Sequence, residues 1–228
     1  MSDETRVDVS AITARYRELA DEVGALGGER VRIVAVTKTF PAEAVAAVTA
    51  AGCGRIGENY AQELIEKWDR LASIDGAGLT PEVHFIGSLQ SNKVRSLADI
   101  VDVWQSVDRE SVVSELCRRR PGARILLQVN ATDEPDKGGC RPEGLEELMS
   151  MATSGGLIVE GLMTVGPTDA DPDRTRTAFR SVARMAAGLG VPELSMGMSG
   201  DWRVAVDEGS TLIRVGSAIF GERPPRTV

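Results

Sequence analysis

A chain of 228 residues is the size of one domain, and at 42% hydrophobic but only 4% aromatic it reads as an aliphatic, folded protein and not a disordered one. Its formal net charge of −8 argues against a protein that tracks a phosphate backbone, because nucleic-acid binders present a basic face. Three scattered cysteines, Cys53, Cys117 and Cys140, without C-x-x-C spacing, exclude a disulfide framework and offer no zinc motif, so a reducing cytoplasm is the expected location.

The opening MSDETRVDVS is polar and acidic instead of basic then apolar, and no apolar run reaches about 18 residues. Neither an export signal nor a membrane span is expected. A first helix is predicted from Ser10, a good N-cap, with Ile12, Tyr16, Leu19, Val23 and Leu26 recurring every three or four positions and Gly27-Gly28 to end it. Short Val/Ile-rich runs then alternate with charged, helix-periodic stretches. Strands are predicted at VRIVAVT (31–37), GRIGEN (54–59), VHFIG (83–87), IVDVWQSV (100–107), ARILLQVN (123–130), LIVEGLMTV (157–165), ELSMG (193–197) and LIRVGSAIFG (212–221). Between them the helices are AEAVAAVTAA, YAQELIEKWDRLA, SNKVRSLAD, RESVVSELCRRR, PEGLEELMSMA, RTRTAFRSVARMAAGL and DWRVAVDE. Segments near Asp75, Asp136 and Pro167 read as loops.

Strands separated by helices imply parallel crossovers, and near-continuous apolar strands imply a sheet covered on both faces. Eight such units favour an α/β fold of the closed (β/α)8 TIM-barrel type with an extra N-terminal helix; an open doubly wound sheet is the alternative. No linker or repeat divides the chain, so residues 1–228 are expected to form a single domain.

In such a barrel the working surface lies at the C-terminal ends of the strands. Lys38 falls where strand one gives way to its loop, and alternation places it on the side of Val34 and Val36. An amine directed into an apolar mouth is poorly solvated as an ammonium, which lowers its pKa from about 10.4 and makes it a candidate nucleophile toward carbonyl groups. The other reading of a strand-end lysine is one that snorkels to water or pairs with a carboxylate such as Glu58. At the far end, SMGMSGDW (195–202) runs through small residues into a helix, and strand eight closes on Gly216 and Ser217. The loops after strands seven and eight are where barrels often build a phosphate site.

The blocks VAVTKTF, IGENYAQE, HFIGSLQSNK, VNATDEPDKGG, GLMTV and SMGMSGDWRVAVDEGSTLIRVGSAIFG occur in order from about Val31 to Gly221. Together they resemble the pyridoxal phosphate homeostasis protein family, whose fold is similar to the N-terminal barrel of alanine racemase. The resemblance implies pyridoxal 5′-phosphate as cofactor, held as an aldimine by Lys38. It implies Ser199, Gly216 and Ser217 as phosphate contacts, with a helix opening at Gly200 supporting the charge, Arg214 against the pyridine nitrogen and Asn59 beside the cofactor. Family members often carry threonine where Ser217 stands, which keeps the hydroxyl. VWQSVD departs from the commoner V-H-S-[IL]-D, so Gln105 receives no role.

An arginine partner only donates, which keeps the pyridine nitrogen neutral and makes the cofactor a weak electron sink. Racemisation also needs an acid/base on each face of the substrate carbon. Lys38 serves one face. For the other, where alanine racemase uses a tyrosine of its C-terminal domain, the chain offers only Tyr16, in the opening helix, and Tyr60, after strand two. The expected function is therefore to hold and hand over pyridoxal phosphate within the cell. A pyridoxal phosphate-dependent amino-acid racemase or other low-activity pyridoxal enzyme is the alternative, and a Schiff-base aldolase acting on a sugar phosphate is a third. Implied partners are the cofactor and apo pyridoxal enzymes, with no nucleic acid and no membrane. A monomer is expected for want of a dimer-forming second domain.

The remaining polar residues have plainer readings. His84, the only histidine, reads as a core or rim imidazole. Glu58 either pairs with Lys38 or lines the mouth. CRRRPGAR (117–124) is a solvated helix end. Lys137, in DKGG, is a surface-loop lysine or, by the resemblance, a transient holding point.

Overall fold

The computed structural model describes residues 7–26, 30–74 and 80–222. Eight parallel strands close into a barrel in the order β1-β2-β3-β4-β5-β6-β7-β8. They are β1 (Arg32–Val36), β2 (Arg55–Glu58), β3 (Glu82–Phe85), β4 (Val103–Val107), β5 (Arg124–Gln128), β6 (Ile158–Met163), β7 (Glu193–Ser195) and β8 (Leu212–Val215). The barrel is sealed where β1 lies beside β8, with Arg32 opposite Leu212 and Ala35 opposite Val215. Around it run α1 (Val9–Ala25), α2 (Ala42–Ala50), α3 (Ala61–Leu71), α4 (Val94–Leu97), α5 (Glu110–Arg119), α6 (Leu145–Ser154), α7 (Pro172–Leu189), α8 (Trp202–Asp207) and α9 (Ser217–Phe220). The predicted barrel with its extra N-terminal helix is what the chain forms, and the open sheet is excluded.

Period-two alternation divides the apolar residues into two cores. Val34, Val103, Leu126, Met163 and Leu212 pack together inside the barrel. Their sequence neighbours Ile33, Ala35, Trp104, Leu127, Leu162 and Ile213 belong to the larger core under the helices.

Several boundaries differ from the sequence reading. The cap of α1 is Asp8, whose carboxylate accepts from Ala11 N at 2.9 Å, and Ser10 sits inside the first turn. Gly27-Gly28 and Asp75 lie outside the described residues. Strand eight stops at Val215, and 217–220, predicted as its continuation, is α9. There the Gly216 carbonyl accepts from both Ile219 and Phe220 N at 2.9 Å, which coils the chain and buries those two side chains. Phe220 meets the Phe40 ring at 5.0 Å between centroids. Likewise α8 begins at Trp202 with Asp201 at its cap, so Gly200 lies in the preceding turn and not at a helix start.

Candidate functional site at the barrel mouth

A cavity of about 300 Å³ opens at the C-terminal ends of the strands, lined by Lys38, Asn59, Ser199, Gly200, Arg214, Gly216 and Ser217 together with Val36, Ile86, Met163 and Met198. Every residue singled out for the cofactor therefore borders one space. A larger hollow of about 1080 Å³ lies on the outer side of the β1–α2 turn, between α1, α2 and α3, and shares only Phe40 with the mouth.

Lys38 reaches the cavity through a turn held from behind. Thr39 has φ +68°, a left-handed conformation that a β-branched residue adopts at a cost of roughly 1–2 kcal/mol. Its N–H donates to Glu63 Oε1 at 2.5 Å. The Lys67 ammonium donates to Thr37 O at 2.8 Å, Glu58 Oε1 at 2.5 Å and Glu63 Oε1 at 2.9 Å, and the Thr37 hydroxyl donates to Glu58 Oε1 at 2.6 Å. Glu58 is 0% exposed and faces the helix layer, opposite Gly57, whose missing Cβ would stand 3.0 Å from the inward Val34. So Glu58 does not line the mouth; it is tied to Lys67. Burial pushes its carboxyl up, against the downward pull of that ammonium.

Arg214, 4% exposed, projects inward from β8. Its Nη1 donates to Ser195 Oγ at 2.7 Å and its Nη2 to Thr164 O at 2.8 Å. Burial brings the guanidinium down to about 10, with Asp201 pushing it back up, so it stays protonated and purely a donor at neutral pH.

Two glycines set the walls. Gly197 has φ +95°, and a Cβ there would stand 2.6 Å from Ala205 Cβ, so only glycine lets the chain leave β7 close under α8. Its carbonyl accepts from Arg214 N at 2.9 Å, and Met198 N donates to Asp201 Oδ1 at 2.5 Å, which folds Ser199 and Gly200 over the mouth. A Cβ at Gly87 would fall 2.0 Å from Asn59 O, so its absence allows the chain after β3 to press against Asn59. Asn59 Oδ1 is buried with no hydrogen-bond partner among the described residues.

The other candidates lie elsewhere. Tyr16 is in the helix layer, where burial and the neighbouring Cys53 push its hydroxyl up to about 12. Tyr60 stands 43% exposed at the start of α3 and does not line the cavity. Lys137, in the loop after β5, pairs with Glu134 at 2.5 Å and donates to Gly166 O. His84 is 2% exposed inside the barrel, with Gln105 Nε2 at 2.6 Å from its Nδ1. Sequence reasoning missed Lys67, Glu63 and Ser195, and gave Gln105 nothing to do. The available signal was a charged or polar residue on the inward or apolar face of an element that is otherwise aliphatic.

The alanine racemase N-terminal domain family matches residues 7–224. The chain is 37% identical over 228 residues to the pyridoxal phosphate homeostasis protein of Vibrio cholerae, covering 95% of each, and 37% identical over 223 residues to that of Pseudomonas aeruginosa, covering 95% and 94%. Among solved structures it resembles PipY of Synechococcus elongatus with PLP bound, at TM-score 0.82 and 32% identity over 92% of this chain and all of that one. Alanine racemase from Corynebacterium glutamicum shares the fold, at TM-score 0.74 and 18% identity over 97% of this chain and 63% of that one. A barrel of this topology, matched end to end by relatives at this identity, belongs to the pyridoxal phosphate homeostasis protein family.

Proposed function

We propose that the mouth cavity binds pyridoxal 5′-phosphate and that the protein holds this cofactor and hands it to apo pyridoxal enzymes in the cytoplasm, acting as a monomer. The observation that carries this reading is the convergence of Lys38, Arg214 and the 199–200 and 216–217 turns on one small cavity. At about 300 Å³ it is at the low end of the range for small-molecule sites, which suits a single substituted pyridine. The unpartnered Asn59 Oδ1 and the inward guanidinium give a polar ring something to bind.

When bound, the cofactor supplies an aldehyde that condenses reversibly with amines. Lys38 provides the amine from the β1 side of the mouth. Ser199, Gly200, Gly216 and Ser217 provide hydroxyl and backbone groups for the phosphate. Arg214, anchored at both terminal nitrogens, presents a charge that gives no proton up at neutral pH and so leaves a ring nitrogen unprotonated. That favours storage over strong carbanion chemistry.

Incubation with pyridoxal phosphate is expected to give a yellow protein with a near-visible absorption band, and Lys38→Ala is expected to lose that band while remaining folded. Wild-type protein that stays colourless overturns the reading. Mixing loaded protein with an apo pyridoxal enzyme and a trap for free cofactor separates direct transfer, which is expected, from simple release.

A further inference from the structure

Inside the barrel, among aliphatic side chains, four buried polar groups fall into one line. Arg214 Nη1 donates to Ser195 Oγ at 2.7 Å, Ser195 Oγ to Gln105 Oε1 at 2.6 Å, and Gln105 Nε2 lies 2.6 Å from His84 Nδ1. The far side of the imidazole, Nε2, faces Glu82 Oε1 at 3.7 Å, longer than a full hydrogen bond. Glu82 also pairs with Arg124 at 2.8 Å and Arg55 at 3.2 Å. The line thus crosses from the mouth to the opposite end of the barrel through β8, β7, β4 and β3.

Its direction is set at the mouth. A guanidinium can only donate, so Ser195 accepts from it and spends its one hydrogen on the next group. That group must be the amide oxygen of Gln105, which turns the amide NH₂ toward His84. His84 Nδ1 must then be bare, and the ring proton sits on Nε2, aimed at the carboxylate. As far as His84 Nδ1 each link satisfies the next, the condition under which buried polar groups persist in an apolar interior, and the buried Nε2 faces a carboxylate without a hydrogen-bond partner among the described residues.

We propose that Ser195, Gln105 and His84 are positioning residues for Arg214: a one-way hydrogen-bond chain, running from the guanidinium to an imidazole that faces the Glu82 carboxylate, that fixes how the guanidinium faces the cavity. The proposal rests on the reading of that cavity as the pyridoxal phosphate site. It gives Gln105 a role that a shape-filling core residue would lack.

Because the chain has a single histidine, ¹⁵N labelling of histidine reports one imidazole, and its two nitrogens can be read in the protein without cofactor. The expected wild-type spectrum at neutral pH shows a protonated Nε2 and a bare Nδ1. In Ser195→Ala, which does not touch His84, the Gln105 amide is released to rotate and the two tautomers are expected to mix; Ser195→Thr restores the single form. In loaded protein the near-visible band is expected to shift in Ser195→Ala and to return in Ser195→Thr. A protonated Nδ1 in wild type, or an unchanged tautomer in folded Ser195→Ala, overturns the chain. Should both variants fail to fold, the wild-type tautomer decides alone. The cofactor is absent from that measurement, so a wrong tautomer leaves pyridoxal phosphate binding standing, and colourless protein leaves the tautomer result standing.

Discussion

Lys67 is 7% exposed in the middle of α3, between the buried Leu64 and Leu71, where the helical pattern calls for an apolar residue. It is kept there by Glu58, and neither charge has solvent to fall back on. Removing one member of such a pair costs about 3–5 kcal/mol, because the other is left buried and unpaired. Lys67→Met is therefore expected to lower the unfolding free energy by about 3 kcal/mol at pH 7. The deficit should shrink toward acid pH. The carboxyl of Glu58 is already raised by burial, and without Lys67 it rises further; a raised acid favours folding below its unfolded pKa and loses that advantage as pH rises through the folded value. Adding Glu58→Gln should recover most of the loss. Urea unfolding at several pH values checks this, and a pH-independent deficit contradicts it. Such residues were illegible beforehand because a buried lysine and a solvated one look alike until the partner, from another element, is known. Lys38 was legible because its strand alternation and its position before the turn are both local.

At the level of elements, helices and strands followed from periodicity, but not all of their ends. The helix predicted from Arg174 ends at Leu189 as expected and begins two residues earlier, where Asp171 caps it and Pro172 opens the first turn, with Gly190 as a left-handed terminus. Strand eight failed at its end because Ser217 to Phe220 has a strand-like composition, and only burial of Ile219 and Phe220 behind the seam decides for a helical turn. The loops at the mouth depend on similar tertiary demands. Gly197→Ala forces a Cβ into a left-handed residue and against Ala205, which together should cost about 2–4 kcal/mol and weaken cofactor retention by misplacing Ser199 and the Arg214 backbone. Gly200→Ala, with nothing within 4 Å and no positive φ, should change stability by less than about 0.5 kcal/mol. Equal effects in the two variants, by denaturant midpoint, would contradict the assigned role of Gly197.

For the whole molecule, the alternation of strand and helix favoured a closed barrel over an open sheet, but did not show how its lower end is tied. Glu82 on β3 binds Arg55 of β2 and Arg124 of β5, Arg124 also binds Glu160 of β6, and Arg32 of β1 pairs with Glu193 of β7. Arg55–Glu82 and Arg124–Glu160 join neighbouring strands, whereas Arg32 and Glu193, far apart in sequence, are brought together only by closure of β1 against β8. Glu82 sits at the centre: His84 beside it, opposed by burial and helped by Arg124, brings its carboxyl down to about 2. A lowered acid stabilises the fold above its unfolded pKa of about 4.3 and loses that contribution as pH falls toward the folded value. With the imidazole 3.7 Å away and the carboxylate partly screened by solvent, the contribution is about 1–2 kcal/mol at neutral pH. Glu82→Gln should accordingly be less stable than wild type by that amount at pH 7. The two should converge near pH 2, since only the wild type loses this bond to acid. Other lowered carboxylates, Glu134 and Glu208 among them, titrate in both proteins and cancel in the difference. Urea midpoints taken from pH 2 to pH 7 should therefore draw together toward acid pH, and two parallel curves would show that the lower end of the barrel is not held by this carboxylate.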